Sequence, residues 1–176
     1  MIVGLTAPNR SGKTTLANHL VEHHGFTRAS LATEVRYECM RRVPEVDFFD
    51  NDIKDTYNDV LECTPRDYLI HVGTTEVRAA DPNFWLKKLE GTIRAYQTRG
   101  IERFVVDDVR FLNEMKWIKE RGQLILIFRE EAWRPEDADL ALIELYESAF
   151  GMADDCVVNE SLPAARKELE ELLGLS

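Results

Sequence analysis

Ala7-Pro8-Asn9-Arg10-Ser11-Gly12-Lys13-Thr14 is the stretch that decides the architecture of this chain. It fits the pattern A/G-x4-G-K-S/T, with Ala7 where Gly is usual. Before it lies Ile2–Thr6, a short apolar run that suits a buried parallel strand. After it, Gly12–His24 reads as a helix with Leu16, Leu20 and Val21 on one face and Gly25 as its stop. Strand, glycine turn and helix N-terminus in that order make an anion cradle, because free N–H groups and the helix dipole point at one spot. Gly12 lets the main chain approach closely. Lys13 is placed to reach the β- and γ-phosphates of a nucleoside triphosphate, and the Thr14 hydroxyl to ligate Mg²⁺. Ala7 restricts the turn and Pro8 contributes no N–H, so the alternative is a strand–turn–helix with an incidental GKT.

The 176 residues suit one compact α/β domain. No apolar run approaches the roughly 20 residues of a membrane span, and nothing at the start resembles a signal peptide. A soluble, cytoplasmic protein without a membrane partner is the expectation. With 32 acidic and 22 basic residues the formal charge is −10, which argues against duplex nucleic acid as a partner. One phosphate pocket still needs only a few local cations and N–H groups. Cys39, Cys63 and Cys156 are widely spaced and read as reduced thiols. His19 and His23 lie four apart on the first helix, as zinc ligands can, but helix-surface polarity is the favoured account and zinc is not expected.

Further along, Phe26–Ser30 reads as a second strand and Leu31–Arg42 as a helix ending before Pro44. Val46–Asn51 reads as a loop, and Asp52–Leu61 and Arg66–Ala79 as helices. A helix opened by Pro82 runs to about Arg99, with Trp85, Leu89, Ile93 and Tyr96 as its apolar stripe. Phe104–Val106, Leu124–Phe128 and Cys156–Val158 read as strands. Asn113–Arg121, Glu136–Phe150 and Leu162–Leu173 read as helices. Strands separated by helices imply a parallel sheet with right-handed crossovers and ligands at the strand carboxyl ends.

Phe104-Val105-Val106-Asp107-Asp108 delivers carboxylates to such an end, where one can hold Mg²⁺ directly or through water. Arg110 and Glu114 follow, four apart. Either both project from a first helical turn, with Arg110 free to grip a phosphate bidentately, or they form a surface ion pair. Arg36, Lys54, Arg66 and Arg78 spread cations over the helical insert, as a kinase with a phosphorylated acceptor needs; each also reads as a solvated surface residue. Gly73 inside a helical stretch signals either close approach to a ligand or a helix break. Trp85 is core by default. Arg129 and Arg134 read as a lid over ATP or as plain loop charges.

These separated motifs occur together in order. Arg10–Thr15, Leu31–Arg36, Arg66 through Gly73-Thr74 with Glu76, Arg78 and Trp85, and Asp108-Val-Arg-Phe-Leu-Asn-Glu114 resemble the phage-type deoxynucleoside monophosphate kinases, a branch of the P-loop nucleotide kinases. The resemblance covers roughly residues 2–130. It implies an α/β three-layer sandwich over 1–176, with a mostly parallel five-stranded sheet, a helical acceptor-binding insert at about 31–99 and a lid at about 129–138. The implied reaction is ATP plus a deoxynucleoside monophosphate (dNMP) giving ADP and the diphosphate, with Mg²⁺, in the host cytoplasm if the gene is a phage's; the alternatives are another small-molecule P-loop kinase, acting on dephospho-coenzyme A or a sugar acid with Asp108 as base, and a non-catalytic nucleotide-binding regulatory module. By that analogy Arg10, Ser11, Gly12, Lys13, Thr14, Thr15 and Arg129 bind ATP, and Thr14 and Asp107 hold Mg²⁺. Arg36, Lys54, Arg66, Gly73, Arg78, Trp85, Asp108, Arg110 and Glu114 bind the acceptor, with Trp85 stacking on the base. Lys13, Arg110 and Asp108 carry the chemistry. A homodimer is left open. Family members often carry Asp where Thr14 stands, Gln where His71 stands, and a late His-x-Ser-Glu element, for which only Glu144–Ser148 stands here.

Overall fold

The computed structural model describes residues 1–8, 10–132 and 147–175. Five parallel strands form one sheet in the order β2-β3-β1-β4-β5. They are β1 (Ile2–Thr6), β2 (Thr27–Arg28), β3 (Phe104–Val109), β4 (Gln123–Phe128) and β5 (Asp155–Val158). β1 sits in the centre because it is apolar on both faces, and all five of its residues are buried. Val3 pairs with Val105 on one side and Gln123 on the other. β2 is a two-residue edge strand, shorter than the run Phe26–Ser30 suggested, although Phe26 and Ala29 flank it in the core.

Helix α1 (Lys13–His24) starts at Gly12 and stops at Gly25, both left-handed, with φ of 92° and 66°. Leu16 and Leu20 enter the core with Val3, Leu5, Val105, Ile125, Ile127 and Val157. Val21 does not, being 38% exposed, so the apolar face is narrower than its sequence predicts. The helices α6 (Leu112–Lys119), α7 (residues 147–152) and α8 (Leu162–Leu172) intersperse the later strands. Of the helix expected over Glu136–Phe150, the part before residue 147 lies outside the described residues, as do Arg134, most of the expected lid and Glu144–Tyr146. Among the described residues no helix is long and apolar enough to cross a membrane.

The chain divides into two compact units, one of Met1–Ala29 with Ile93–Ser176, the other Ser30–Thr92. In the second unit, α2 (Leu31–Arg42) is capped by Ser30, whose hydroxyl accepts the Thr33 N–H at 3.3 Å. Its buried Glu38 is held by Arg41 at 2.6 Å and Arg42 at 3.1 Å. Those guanidiniums, Arg41 foremost, hold the carboxyl down at about 2 against the opposing effect of burial.

The helix expected over Asp52–Leu61 is absent, and the segment is a chain of turns. Its own side chains explain this. Asp50 accepts the Asp52 N–H at 2.8 Å, and Asn58 accepts the N–H groups of Val60 and Leu61 at 3.0 and 3.2 Å. Such Asx turns divert the hydrogen bonds a helix would use. The segment Arg66–Ala79 is helical but not uniform: α3 (Pro65–Ile70) and α4 (Val77–Ala80) flank a π-helical turn at His71–Glu76. The Val77 N–H reaches back five residues to the Val72 carbonyl. Gly73 lies in this turn, so the irregularity in the sequence marks a widened helix rather than a break. The last long helix of this region, α5 (Phe84–Gln97), buries Trp85, Leu89 and Ile93 as its spacing predicts.

Gly122, just before β4, is the tightest glycine of the sheet. A Cβ built there collides with the carbonyl oxygen of Ile2, a main-chain atom of the central strand that cannot step aside. Gly122→Ala is therefore expected to destabilise the fold by about 3 kcal/mol, at the upper end for overpacking. A urea denaturation midpoint unchanged from wild type would contradict this.

Candidate active site

The phosphate loop joins β1 to α1, and its shape is set by two left-handed residues, Arg10 at φ 66° and Gly12 at φ 92°. Gly12 is demanded twice. Its φ favours glycine, and a Cβ there would come within 2.5 Å of the Asn159 amide nitrogen. That amide, buried behind the loop, donates to the Ser11 carbonyl at 2.8 Å. Asn159 follows β5 and is itself fixed by its N–H to the Phe128 carbonyl at 2.7 Å. The far end of the sheet thus holds the loop by one side chain. Ser11 is buried, and its hydroxyl has no hydrogen-bond partner among the described residues. A polar atom left this way inside an N–H-rich turn fits a site shaped for an anion.

Lys13 folds back over the front of the loop, donating to the carbonyls of Ala7 at 2.5 Å and Pro8 at 2.8 Å. Burial lowers its pKa to about 8, and the nearby charge of Arg110 adds to this, partly offset by Asp107 and Asp108. A cation in this position lacks a full counter-charge, which a phosphate would supply.

Thr14 opens α1, and its hydroxyl donates to Asp107 Oδ2 at 3.3 Å. Asp107 is only 4% exposed at the carboxyl end of β3. A carboxylate so buried requires a partner. Arg28, on the edge strand, provides it: Nε donates to Oδ1 at 2.9 Å and Nη2 to Oδ2. A hydroxyl and a carboxylate oxygen in contact are the hard oxygen donors Mg²⁺ takes, so the two residues fit that ion. Asp108, the next residue along the strand, is half-buried.

Arg110 is exposed at the end of β3. Its main-chain N–H and that of Phe111 donate to Glu114 Oε2 at 2.7 and 3.0 Å. Glu114 is 1% exposed. A buried Glu114 does not form the surface ion pair that the spacing also allowed: its carboxylate fixes the main chain that presents Arg110. Arg129 leaves β4 and pairs with Glu131 at 3.0 Å.

In the second unit, Trp85 is fully buried, and its indole N–H donates to the Gly73 carbonyl at 2.8 Å. Its ring has no open face for a base, so core packing is its role. Gly73 is close to Val35, 3.1 Å from a built Cβ to Cγ1, so the close approach it permits is to α2. The guanidinium of Arg36 lies 5.3 Å over the Phe49 ring, and Arg66 is ion-paired with Asp55. Arg78 lies on α4 and Lys54 in the turn segment before α3. Sequence reading missed Arg28 and Asn159: neither stands in a motif, and only the fold brings them to the loop.

A β-strand, phosphate loop and helix with a carboxylate on the neighbouring strand define a P-loop nucleotide-binding fold, and similarity to a described kinase makes it a P-loop kinase, a phosphotransferase. A protein of Acanthamoeba polyphaga mimivirus described as a "Putative deoxynucleotide monophosphate kinase" is 31% identical over 166 residues, covering 84% of this chain and 86% of its own. The chain belongs to that family of deoxynucleotide monophosphate kinases. No profile of a known protein family matches it. Its fold is similar to dephospho-CoA kinase from Campylobacter jejuni, with TM-score 0.58, 17% identity and coverage of 98% and 95% of the two chains. Shikimate kinase from Aquifex aeolicus superposes with TM-score 0.52, 19% identity and coverage of 99% and 97%.

Two outcomes test the loop. Asn159→Ala strands the buried Ser11 carbonyl, a loss of about 1–2 kcal/mol. Nucleotide binding should weaken roughly tenfold while the sheet persists; unchanged affinity by calorimetry would refute the clamp. The folded pKa of Lys13, about 8, lies below the ordinary 10.5. The charged form is therefore disfavoured in the free protein, and a bound phosphate restores it. Triphosphate binding between pH 8 and 10.5 should take up protons and weaken as pH rises. Calorimetry in buffers of different ionisation heat reads the uptake, and zero uptake at pH 9 would contradict it.

Proposed function

We propose that this protein transfers the γ-phosphate of ATP to a deoxynucleoside monophosphate, giving ADP and the diphosphate. The observation that carries the reading is the Lys13, Thr14 and Asp107 constellation with Arg110 near enough to depress the Lys13 pKa. It gathers two cations and a metal-competent carboxylate around one phosphate loop. The mimivirus relative's description and the Asp108–Glu114 motif support a nucleotide acceptor.

The acceptor is a phosphate oxygen, mostly ionised at neutral pH because its second pKa is about 6. No general base is then required, and catalysis reduces to positioning and charge neutralisation. Arg10, Ser11, Gly12 and Thr15 would bind the ATP phosphates, with Arg129 beside them. Lys13 would exchange the Ala7 and Pro8 carbonyls for the β- and γ-phosphates. Thr14 and Asp107, the latter by giving up an Arg28 contact, would hold Mg²⁺, which would neutralise charge developing on the transferred group. Arg110 would grip the acceptor phosphate bidentately, on a main chain held still by Glu114. Asp108 would contact the acceptor. Arg36, Lys54, Arg66 and Arg78 would supply further cations, Arg66 by giving up Asp55.

The deciding measurement is ADP release with Mg²⁺ and ATP against each common dNMP and NMP, with shikimate and dephospho-CoA as hydroxyl acceptors. Turnover with one or more dNMPs is expected, and Lys13→Ala should lower it at least a thousandfold with the fold retained. Turnover with a hydroxyl acceptor alone would overturn the reading and make Asp108 the candidate base. Near-normal activity of Lys13→Ala would overturn the mechanism.

A further inference from the structure

His19 and His24 lie on α1, five residues apart. At 100° per residue their side chains leave the helix about 140° apart, so spacing alone does not pair them. In the structure they converge, because α8 brings Glu170 to a point both rings reach. His19 Nε2 lies 2.7 Å and His24 Nε2 2.8 Å from the same oxygen, Glu170 Oε1. The side chains are 10%, 16% and 26% exposed, sheltered yet open on one side. A third imidazole, His23, packs against His19 with ring centroids 4.8 Å apart and remains largely exposed.

We propose that His19, His24 and Glu170 form a binding site for one divalent transition-metal ion of the Zn²⁺ class. Two neutral imidazoles and one carboxylate are the borderline N₂O set such ions take, and the calcium or magnesium preference for all-oxygen shells does not match it. The three ligand atoms lie within 4.8 Å of one another. Tetrahedral bonds of about 2.0–2.1 Å place ligand atoms roughly 3.4 Å apart. Each ring nitrogen now lies 2.7–2.8 Å from Glu170 Oε1, so an ion enters when that oxygen steps back from the point both rings face and the nitrogen–oxygen separations widen by about 0.6–0.7 Å. The ligand set carries one negative charge in a protein of net charge −10, which favours a cation. The open side leaves a fourth position for water or for His23. The site uses no residue of the phosphate loop. The ion would tie the helix that springs from that loop to α8, near the end of the chain.

The test uses the full chain stripped with EDTA, then titrated with Zn²⁺ by calorimetry and with Co²⁺ by visible absorption. One equivalent should bind, with the intense d–d bands of tetrahedral Co²⁺, and Zn²⁺ should raise the thermal midpoint by several degrees. His24→Ala and Glu170→Gln, checked as folded by far-ultraviolet circular dichroism, should each weaken binding at least tenfold. A Cys63→Ser/Cys156→Ser protein should bind as wild type. Absence of binding to the wild type, or affinity unchanged in both ligand variants, or loss with the cysteines, would each overturn the proposal. None of these readouts depends on kinase activity.

Discussion

A buried carboxylate needs a partner, and Asp107 shows what satisfying that need does to a sheet. The residue ends β3 almost without solvent contact. Arg28 answers it from the edge strand and Thr14 from the first turn of α1. One side chain thus links three elements that are distant in sequence. The pairing is weak evidence of net stability, since desolvating both charges offsets much of their attraction. Its consequence is positional: it fixes where β2 ends and where the Thr14 hydroxyl points. A partner that holds Asp107 in place also competes with any ion that approaches it.

Around that carboxylate, the phosphate loop is held from two sides. Gly12 and the left-handed Arg10 shape it locally, and Asn159 grips it from beyond β5. Lys13 is left on loop carbonyls with a lowered pKa. An anion bound in the loop would favour the charged form of Lys13. Glu114 does for Arg110 what Asn159 does for Ser11: a buried side chain spends its hydrogen bonds on main chain so that a neighbour is presented in a fixed place.

The sheet was legible because its cause is local. Ile2–Thr6 is apolar on both faces, Gly12 and Gly25 bracket a helix, and α2 runs from Leu31 to Arg42 as its spacing and Ser30 cap require. The loop and its strand carboxylates were legible for the same reason. Asp52–Leu61 was misread because its composition permits a helix while Asp50 and Asn58 turn the chain with their own side chains. Trp85 was over-read: its place on an apolar stripe already pointed to the core, and Gly73 supplies the carbonyl its indole needs. Arg28, Asn159 and the meeting of His19, His24 and Glu170 were invisible, because each arises from residues far apart in sequence that only strand order brings together.

The strand order also fixes when the loop can exist during synthesis. β1 is made first, yet its lateral neighbours are β3 and β4, which begin about a hundred residues later. The clamp on Ser11 waits longer still, for Asn159, 148 residues downstream. At roughly 5–20 residues per second, the ribosome takes some 7–30 s to cross that interval. Until β3 and β4 are made the nascent chain carries an apolar strand with no sheet to join, and until Asn159 follows the phosphate loop lacks its clamp. A chaperone has the first part of that window in which to shield Ile2–Thr6, and a nucleotide meets the clamped loop only once Asn159 has been made.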